Sequence, residues 1–327
     1  VNNKYRLPTD WLTTVRYCRR QGLTWPAIAA GFGCTADYIR IAYGRHTRQS
    51  QPAEPSPQLP QYDGLDNGSR MPVFHSPRRR KHLIIPDTQV RAGVPLDHFY
   101  WIGQYIAHKK PDVVIHMGDW LDMASISSYD IGRIGAEGKR FTADIASGRE
   151  SLELFEAGMD GYEPELKLFV TGNHEYRIER YVADHPALEG ALTLDGVGWE
   201  AAGWQRFPFL QPIDVDGVLY AHFFPRSANG RVFQTTRGAP SAKAQIQRAA
   251  QSATAGHTPG LEVANLPVGN RLLRGLIAGS CYLHDEEYPG PQGNCYWRGI
   301  IMKHGVSGGE YNIMEVDLDY LRRKYAQ

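Results

Sequence analysis

Cysteine is scarce in this sequence, long apolar runs are missing, and neither sign of charge is in excess. The four cysteines, Cys18, Cys34, Cys281 and Cys295, are scattered and form no C-x-x-C pair. That pattern indicates neither a zinc knuckle nor a dithiol redox site, and the thiols read as buried or incidental. No stretch approaches the roughly 18 consecutive apolar residues of a membrane span, and the opening VNNKYRLPTDWL lacks the apolar core of a secretory signal. A soluble, cytoplasmic protein with no membrane partner is expected, although a first residue of Val leaves room for a removed segment. A net charge of +1 predicts no polyanionic partner by itself. What is present is an ordinary globular composition in 327 residues, enough for one large domain and a small appendage.

The charge is nevertheless unevenly spread. Residues 1–50 carry eight Lys or Arg against two acids, Asp10 and Asp37. Residues 12–45 read as three helices: Pro26 suits a first helical turn, and Gly33 can take the left-handed conformation of a turn at Gly33-Cys34-Thr35. Ala29 is small where two helices would cross, and Ile28, Phe32, Cys34, Ile39 and Ala42 supply apolar positions. This stretch resembles a helix-turn-helix DNA-binding module. The resemblance implies that Asp37, Tyr38 and Arg40 face a major groove while Arg45 and Arg48 meet phosphates, with DNA the favoured nucleic-acid partner. A helical bundle that binds protein is the alternative. Residues 49–72, with Pro52, Pro55, Pro57 and Pro60, read as an extended linker. The basic run Arg78, Arg79, Arg80 and Lys81 follows, as a solvated strand entrance or a phosphate contact. The expected division is a helical module over 1–48, linker and basic run over 49–80, and a larger domain over 81–327.

Beyond residue 80 the runs HLIIPD, DVVIHMGD, KLFVTGN, GVLYAHF and RLLRGLIAGS alternate with longer helical segments, which predicts a layered α/β architecture. Residues 97–110 place Phe99, Ile102, Tyr105 and Ile106 at helical spacing, and residues 175–188 do the same for Ile178, Tyr181 and Val182. RGIIMKHG and EYNIMEVDLDYL read as a β-hairpin or two neighbouring strands.

Polar groups stand where these apolar runs end. They are Asp87 and Gln89 in IPDTQV, Asp119 and Asp122 in HMGDWLD, Asn173 and His174 in TGNHE, His222 in LYAHF and His257 in TAGHTPG. Carboxylates, an amide oxygen and imidazoles make a mixed oxygen and nitrogen donor set, suited to Mn, Fe or Zn rather than Ca. Taken in order, GDWLD, GNHE and the later histidines resemble the calcineurin-like metallophosphoesterases, of phage or prophage type, over about residues 81–320. The resemblance implies a four-layer αββα sandwich. It also implies that Asp119 bridges two metals, that Asn173, His222 and His257 complete the second metal's shell, and that Asp87 and Gln89 fall at the first. His174 is implied as the proton donor, oriented by Asp122, and Glu175 as a structural residue. The implied activity is metal-dependent cleavage of phosphodiesters in nucleic acid. A phosphomonoesterase on nucleotides or phosphoproteins, and a weakened DNA-binding or scaffold protein, are the alternatives.

Two positions depart from the pattern: Gln89 and Pro259 stand where the family has histidines. A proline cannot ligate, and a Gln carbonyl is a weak, hard ligand, so the first site is expected to favour Mn or Mg over Zn, or to stay empty without substrate. One or two divalent ions therefore remain open. His284, in GSCYLHDEEYPG, is a candidate replacement ligand or substrate contact.

Overall fold

The computed structural model describes residues 8, 11–20, 23–49, 71–127, 137–224, 240–286 and 293–326, without the side chains of 12, 13, 16, 17, 20, 37 and 44–49. The chain divides into two compact units, Val1–Ser69 and Arg70–Gln327. Residues 50–70 of the expected linker, and the side chains of Asp37, Arg45 and Arg48, lie outside the described residues.

In the first unit three helices follow one another: α1 (Trp11–Arg20), α2 (Trp25–Phe32) and α3 (Ala36–Gln49). Gly33 adopts φ 64° and closes α2 through its N–H to the carbonyls of Ala29 and Ala30, the left-handed cap for which glycine lacks the Cβ penalty. Trp11, Val15, Trp25, Ile28, Ala29 and Ile39 form the buried core. Tyr38 and Arg40 are half-buried on α3, so only part of each side chain is presented outward.

The second unit runs β1 (Val73–Phe74), β2 (Arg80–Ile85), α4 (Asp97–Lys109), β3 (Val113–His116), α5 (Phe141–Gly158), β4 (Leu166–Val170), α6 (Arg177–Asp184) and β5 (Trp204–Phe207). It continues with β6 (Ile213–Val215), β7 (Val218–Ala221), α7 (Ala242–Ala249), β8 (Ser252–Ala255), β9 (Leu261–Val268), β10 (Arg271–Ala278), β11 (Gly299–Ser307), β12 (Glu310–Asp317) and α8 (Leu318–Tyr325). Two mixed six-stranded sheets result, ordered β12-β11-β2-β3-β4-β5 and β1-β6-β7-β8-β10-β9. Strands β2 to β5 are parallel, and β2, β3 and β4 are covered on both faces, which explains their apolar runs.

Alternation along those strands sorts the core into layers. Ile84, Val113, Ile115, Leu168 and Val170 face the other sheet and meet Ile213, Val215, Val218 and Leu276. Leu83, Ile85, Val114 and Phe169 face outward onto Phe99, Ile102 and Ile106 of α4, Leu152 and Phe155 of α5 and Leu321 of α8. Ile246 of α7 packs with Leu219, Ala253 and Leu273 on the far side of the second sheet. The molecule's larger unit is thus an α/β sandwich. Among the described residues no helix is long and apolar enough to cross a membrane.

Two expectations are corrected here. The larger unit begins before residue 81: β1 pairs with β6, and Arg80 is buried with its Nε 2.7 Å from Asp216 Oδ2. Arg78 is likewise paired with Asp112, at 2.9 Å, and with Glu165, so protein carboxylates hold both of these arginines of the basic run. The helix expected over 175–188 is α6 followed by a separate 3-10 turn at Pro186–Leu188, because a residue preceding proline disfavours the helical region. The hairpin near the C-terminus is β11–β12 as expected.

Candidate metal centre

Parallel strands bring their C-terminal ends to one edge of a sheet, and the loops leaving β2, β3 and β4 carry Asp87, Asp119 and Asn173. Two glycines let the last two loops touch. A Cβ on Gly118 would lie 2.7 Å from Gly172 N, Val170 O and His222 Nδ1, and one on Gly172 would overlap the Asp119 carboxylate. The glycines of GDWLD and GNHE are therefore demanded by contact between the two motifs.

Asp119 sits at φ 49°, Gln89 at 41° and His257 at 67°, left-handed values that cost a non-glycine residue about 1–3 kcal/mol. Hydrogen bonds hold the strained turns. The Asp119 carbonyl accepts from Thr88 N–H at 3.0 Å and Gln89 N–H at 2.9 Å. The buried Glu175 carboxylate accepts from the N–H groups of Asp119, Leu121 and Gly172 at 3.0, 2.8 and 2.9 Å. Glu175 is thus a clamp between loops.

Within this frame the donor atoms converge. Asn173 Oδ1 lies 2.9 Å from His222 Nε2 and 2.7 Å from His257 Nδ1. His222 Nε2 is 3.2 Å from His257 Nδ1 and 3.3 Å from Asp119 Oδ2. Asp119, His222 and His257 each offer a ligand atom within 4.8 Å of the others. The other ring nitrogen of His222, Nδ1, donates to the Met117 carbonyl at 2.7 Å, which turns Nε2 toward the cluster. A tetrahedral ion with bonds of about 2.1 Å needs donor separations of roughly 3.4 Å, so the tightest pair, Asn173 Oδ1 and His257 Nδ1 at 2.7 Å, would part by about 0.7 Å to admit it.

His174 stands beside that set. Its backbone N–H donates to Asp119 Oδ1 at 2.9 Å, and its Nε2 is 3.7 Å from Asp119 Oδ2. Nδ1 lies 3.1 Å from Asp122 Oδ1, an ion-pair distance without the alignment of a hydrogen bond. Arg177 Nη2 reaches His174 Nε2 at 3.0 Å, and Arg91 Nη1 bridges Asp122 Oδ2 and Glu286 Oε2, each at 3.2 Å.

The electrostatics of the site turn on the buried Asp119 carboxylate. Burial works against ionised Asp119, but His174 and His222 hold its pKa well below the usual carboxylate value. Burial alone would lower His222; the Asp119 carboxylate outweighs it and raises the ring to about 9. Its neighbour His257 is lowered to about 4 by burial and by His222. His174 is raised against its burial by Asp119 and Asp122, while Asp122 is held well below its ordinary value, against burial, by His174, Arg177 and Arg91.

Not every sequence candidate joins the cluster. Asp87 is buried, its pKa raised by burial, and its Oδ1 accepts His257 N–H at 3.1 Å while lying 4.0 Å from His222 Nδ1. It braces the His257 turn. Gln89 is half-buried, and among the described residues its side chain makes no hydrogen bond. His284 stacks on Tyr282 with ring centroids 4.7 Å apart and bonds Glu286 Oε1 through Nε2 at 2.9 Å. Sequence reasoning missed Arg91, Arg177 and Glu286. Arg177, three residues after His174 at the start of a helix, was within reach of a spacing argument. Arg91 and Glu286 are 195 positions apart and left no such signal.

No described family matches this chain, and no curated protein does. One solved structure aligns with 72% of this chain and 99% of its own at 12% identity and a TM-score of 0.37, a likeness that carries no argument.

Proposed function

We propose that this protein is a metal-dependent phosphoesterase of the calcineurin-like kind, cleaving phosphodiester bonds, with nucleic acid as the favoured substrate. One observation carries the reading: His174, paired with Asp122 on one ring nitrogen, stands 3.7 Å from the same Asp119 carboxylate that meets His222, whose Nε2 also contacts Asn173 and His257. The arrangement of helices outside two facing sheets agrees with the four-layer αββα architecture of that family. A divalent ion held by Asp119, Asn173, His222 and His257, with Mn favoured over Mg, Fe or Zn, would supply Lewis-acid charge to phosphoryl oxygens and lower the pKa of a water. The donors gathered here are a set for one ion.

The remaining chemistry belongs to the side chains. Asp122 faces His174 Nδ1 and favours the charged ring, which leaves Nε2 as the atom that gives its proton to the leaving oxygen. Arg177 offers a guanidinium N–H at the same point and, with the proton on Nε2, is released to bind a phosphoryl oxygen. Arg91, itself paired with Glu286, holds the Asp122 oxygen that does not face His174. The basic excess of residues 1–50 and their three helices support docking of nucleic acid, DNA first.

Mn-dependent cleavage of DNA and of a bis-aryl phosphate tests this. Asp119→Ala should abolish both activities, and His174→Ala should slow DNA cleavage by roughly 10²–10⁴-fold. Full activity in both variants refutes the mechanism. Removal of residues 1–50 should weaken DNA binding at moderate salt and spare the aryl diester; undiminished DNA binding refutes the docking role alone.

A further inference from the structure

We propose that the end of the sandwich opposite the candidate metal centre carries a second, separate site for a small phosphorylated anion. A cavity of about 600 Å³ opens there, lined by residues that include Arg79, Arg274, His304, Gly305, Glu310 and Tyr311. Its size falls in the range of about 300–1,000 Å³ usual for small-molecule sites. Arg79 precedes β2 whereas Asp87 follows it, and at about 3.3 Å per residue the two ends are roughly 25 Å apart. The cavity therefore shares no residue with the metal centre.

Charge is the first argument. Arg78, Arg80, Arg91, Arg177, Arg206, Arg298 and Arg322 all lie within ion-pair distance of a carboxylate. Arg79 and Arg274 share with Arg140, Arg149, Arg180, Arg248, Arg271 and Arg323, among the described residues, the lack of such a partner, and these two stand together on the lining of one cavity. Their contacts are with neutral oxygens: Arg79 Nη1 with the Gly305 carbonyl at 3.2 Å and Arg274 Nη1 with Asn265 Oδ1 at 3.5 Å. Two guanidinium groups, one on β10 and one just before β2, with no carboxylate at ion-pair distance, make a complement to a phosphate, whose oxygens accept their paired N–H groups.

Shape is the second. Strand β11 breaks register with both β2 and β12 between Lys303 and Ser307, and Gly305 adopts φ 63° within that bulge. Bulges bend a strand and re-aim its side chains, and here the bend sets His304 on the cavity wall. The Arg274 guanidinium lies over the buried Tyr311 ring, 5.6 Å from its centroid, so its head group is already placed before a ligand arrives. The local field is positive: besides burial, Lys81 and Lys109 lower the proton affinity of His304. The one carboxylate on the lining, Glu310, is exposed.

Isothermal titration of the full chain with inorganic pyrophosphate, in the presence of EDTA, tests the site. Saturable binding is expected, weakened roughly tenfold or more in Arg274→Ala, through loss of charge-assisted hydrogen bonds. Arg79 is exposed, so Arg79→Glu probes the site without disturbing the core and should abolish binding, while Glu310→Gln should tighten it. His257→Ala, at the other end of the molecule, should bind pyrophosphate as the wild type does. No saturable binding at millimolar pyrophosphate, or binding undiminished in Arg79→Glu, or binding lost in His257→Ala, each overturns the proposal.

Discussion

Glu175→Ala probes the frame that the candidate site depends on. The carboxylate is buried and accepts three backbone N–H groups at 2.8 to 3.0 Å, two of them from the turns that carry Asp119 and Gly172. Each buried N–H left without an acceptor costs about 1–3 kcal/mol, and water entering the vacated space offsets part, so three give about 3–6 kcal/mol. That is a large share of the roughly 5–15 kcal/mol that separates folded from unfolded domains. For a unit of this size the melting temperature should fall by roughly 6–20 °C, read by circular dichroism. Asp119, released from its left-handed turn, should lose its alignment with His222, and Mn affinity should drop roughly tenfold or more, equivalent to about 1.4 kcal/mol. Glu175→Gln keeps one acceptor oxygen and should fall between the two. A Glu175→Ala protein that melts within about 2 °C of the wild type and binds Mn equally well would refute the clamp.

Metal addition supplies a second test. At one hundred times the dissociation constant, Mn should stabilise the wild type by about 2.7 kcal/mol, roughly 5–10 °C, and should leave His257→Ala and Asp119→Asn unmoved. An equal rise in those variants rules out the donor set. A third concerns pH. His82 is buried between Tyr220 and Asp216, with its pKa pushed down to about 4, chiefly by burial and also by Lys303 and Arg80, against the pull of Asp216. The unfolded ring takes its proton near pH 6.5, so this contribution is intact above that value and is lost as pH falls toward 4, amounting to roughly 2 kcal/mol between pH 7 and pH 5. Urea unfolding at both pH values should show a smaller loss in His82→Gln than in the wild type; identical losses exclude His82 as the cause.

Much of the larger unit could be read from local pattern. The apolar runs became β2, β3, β4, β7 and β10, and helix α4 begins and ends within a residue of the stretch marked by its spacing. The cluster residues Asp119, Asn173, His222 and His257 were picked out because each follows an apolar run. The misreadings have physical causes. The segment Val73–Phe74 is a two-residue edge strand, too short to show any period, so it is lost in the interval 49–80 of linker and basic run. The basic run looked uniform as letters, yet Arg80 is a buried ion pair, Arg78 a surface one, and Arg79 neither.

By itself, then, the sequence determined strands β2, β3, β4, β7 and β10, the β11–β12 hairpin and helix α4, because backbone period and side-chain polarity act over a few residues, and it named the donors at strand ends. Only the tertiary structure decided which of those donors meet. The 2.9 Å between Asn173 Oδ1 and His222 Nε2 spans 49 positions of chain. The bridge from Arg91 to Glu286, and the meeting of Arg79 and Arg274 at one cavity, join segments far apart in the chain. Contacts of that kind are set by the register and stacking of whole strands, which no local pattern records.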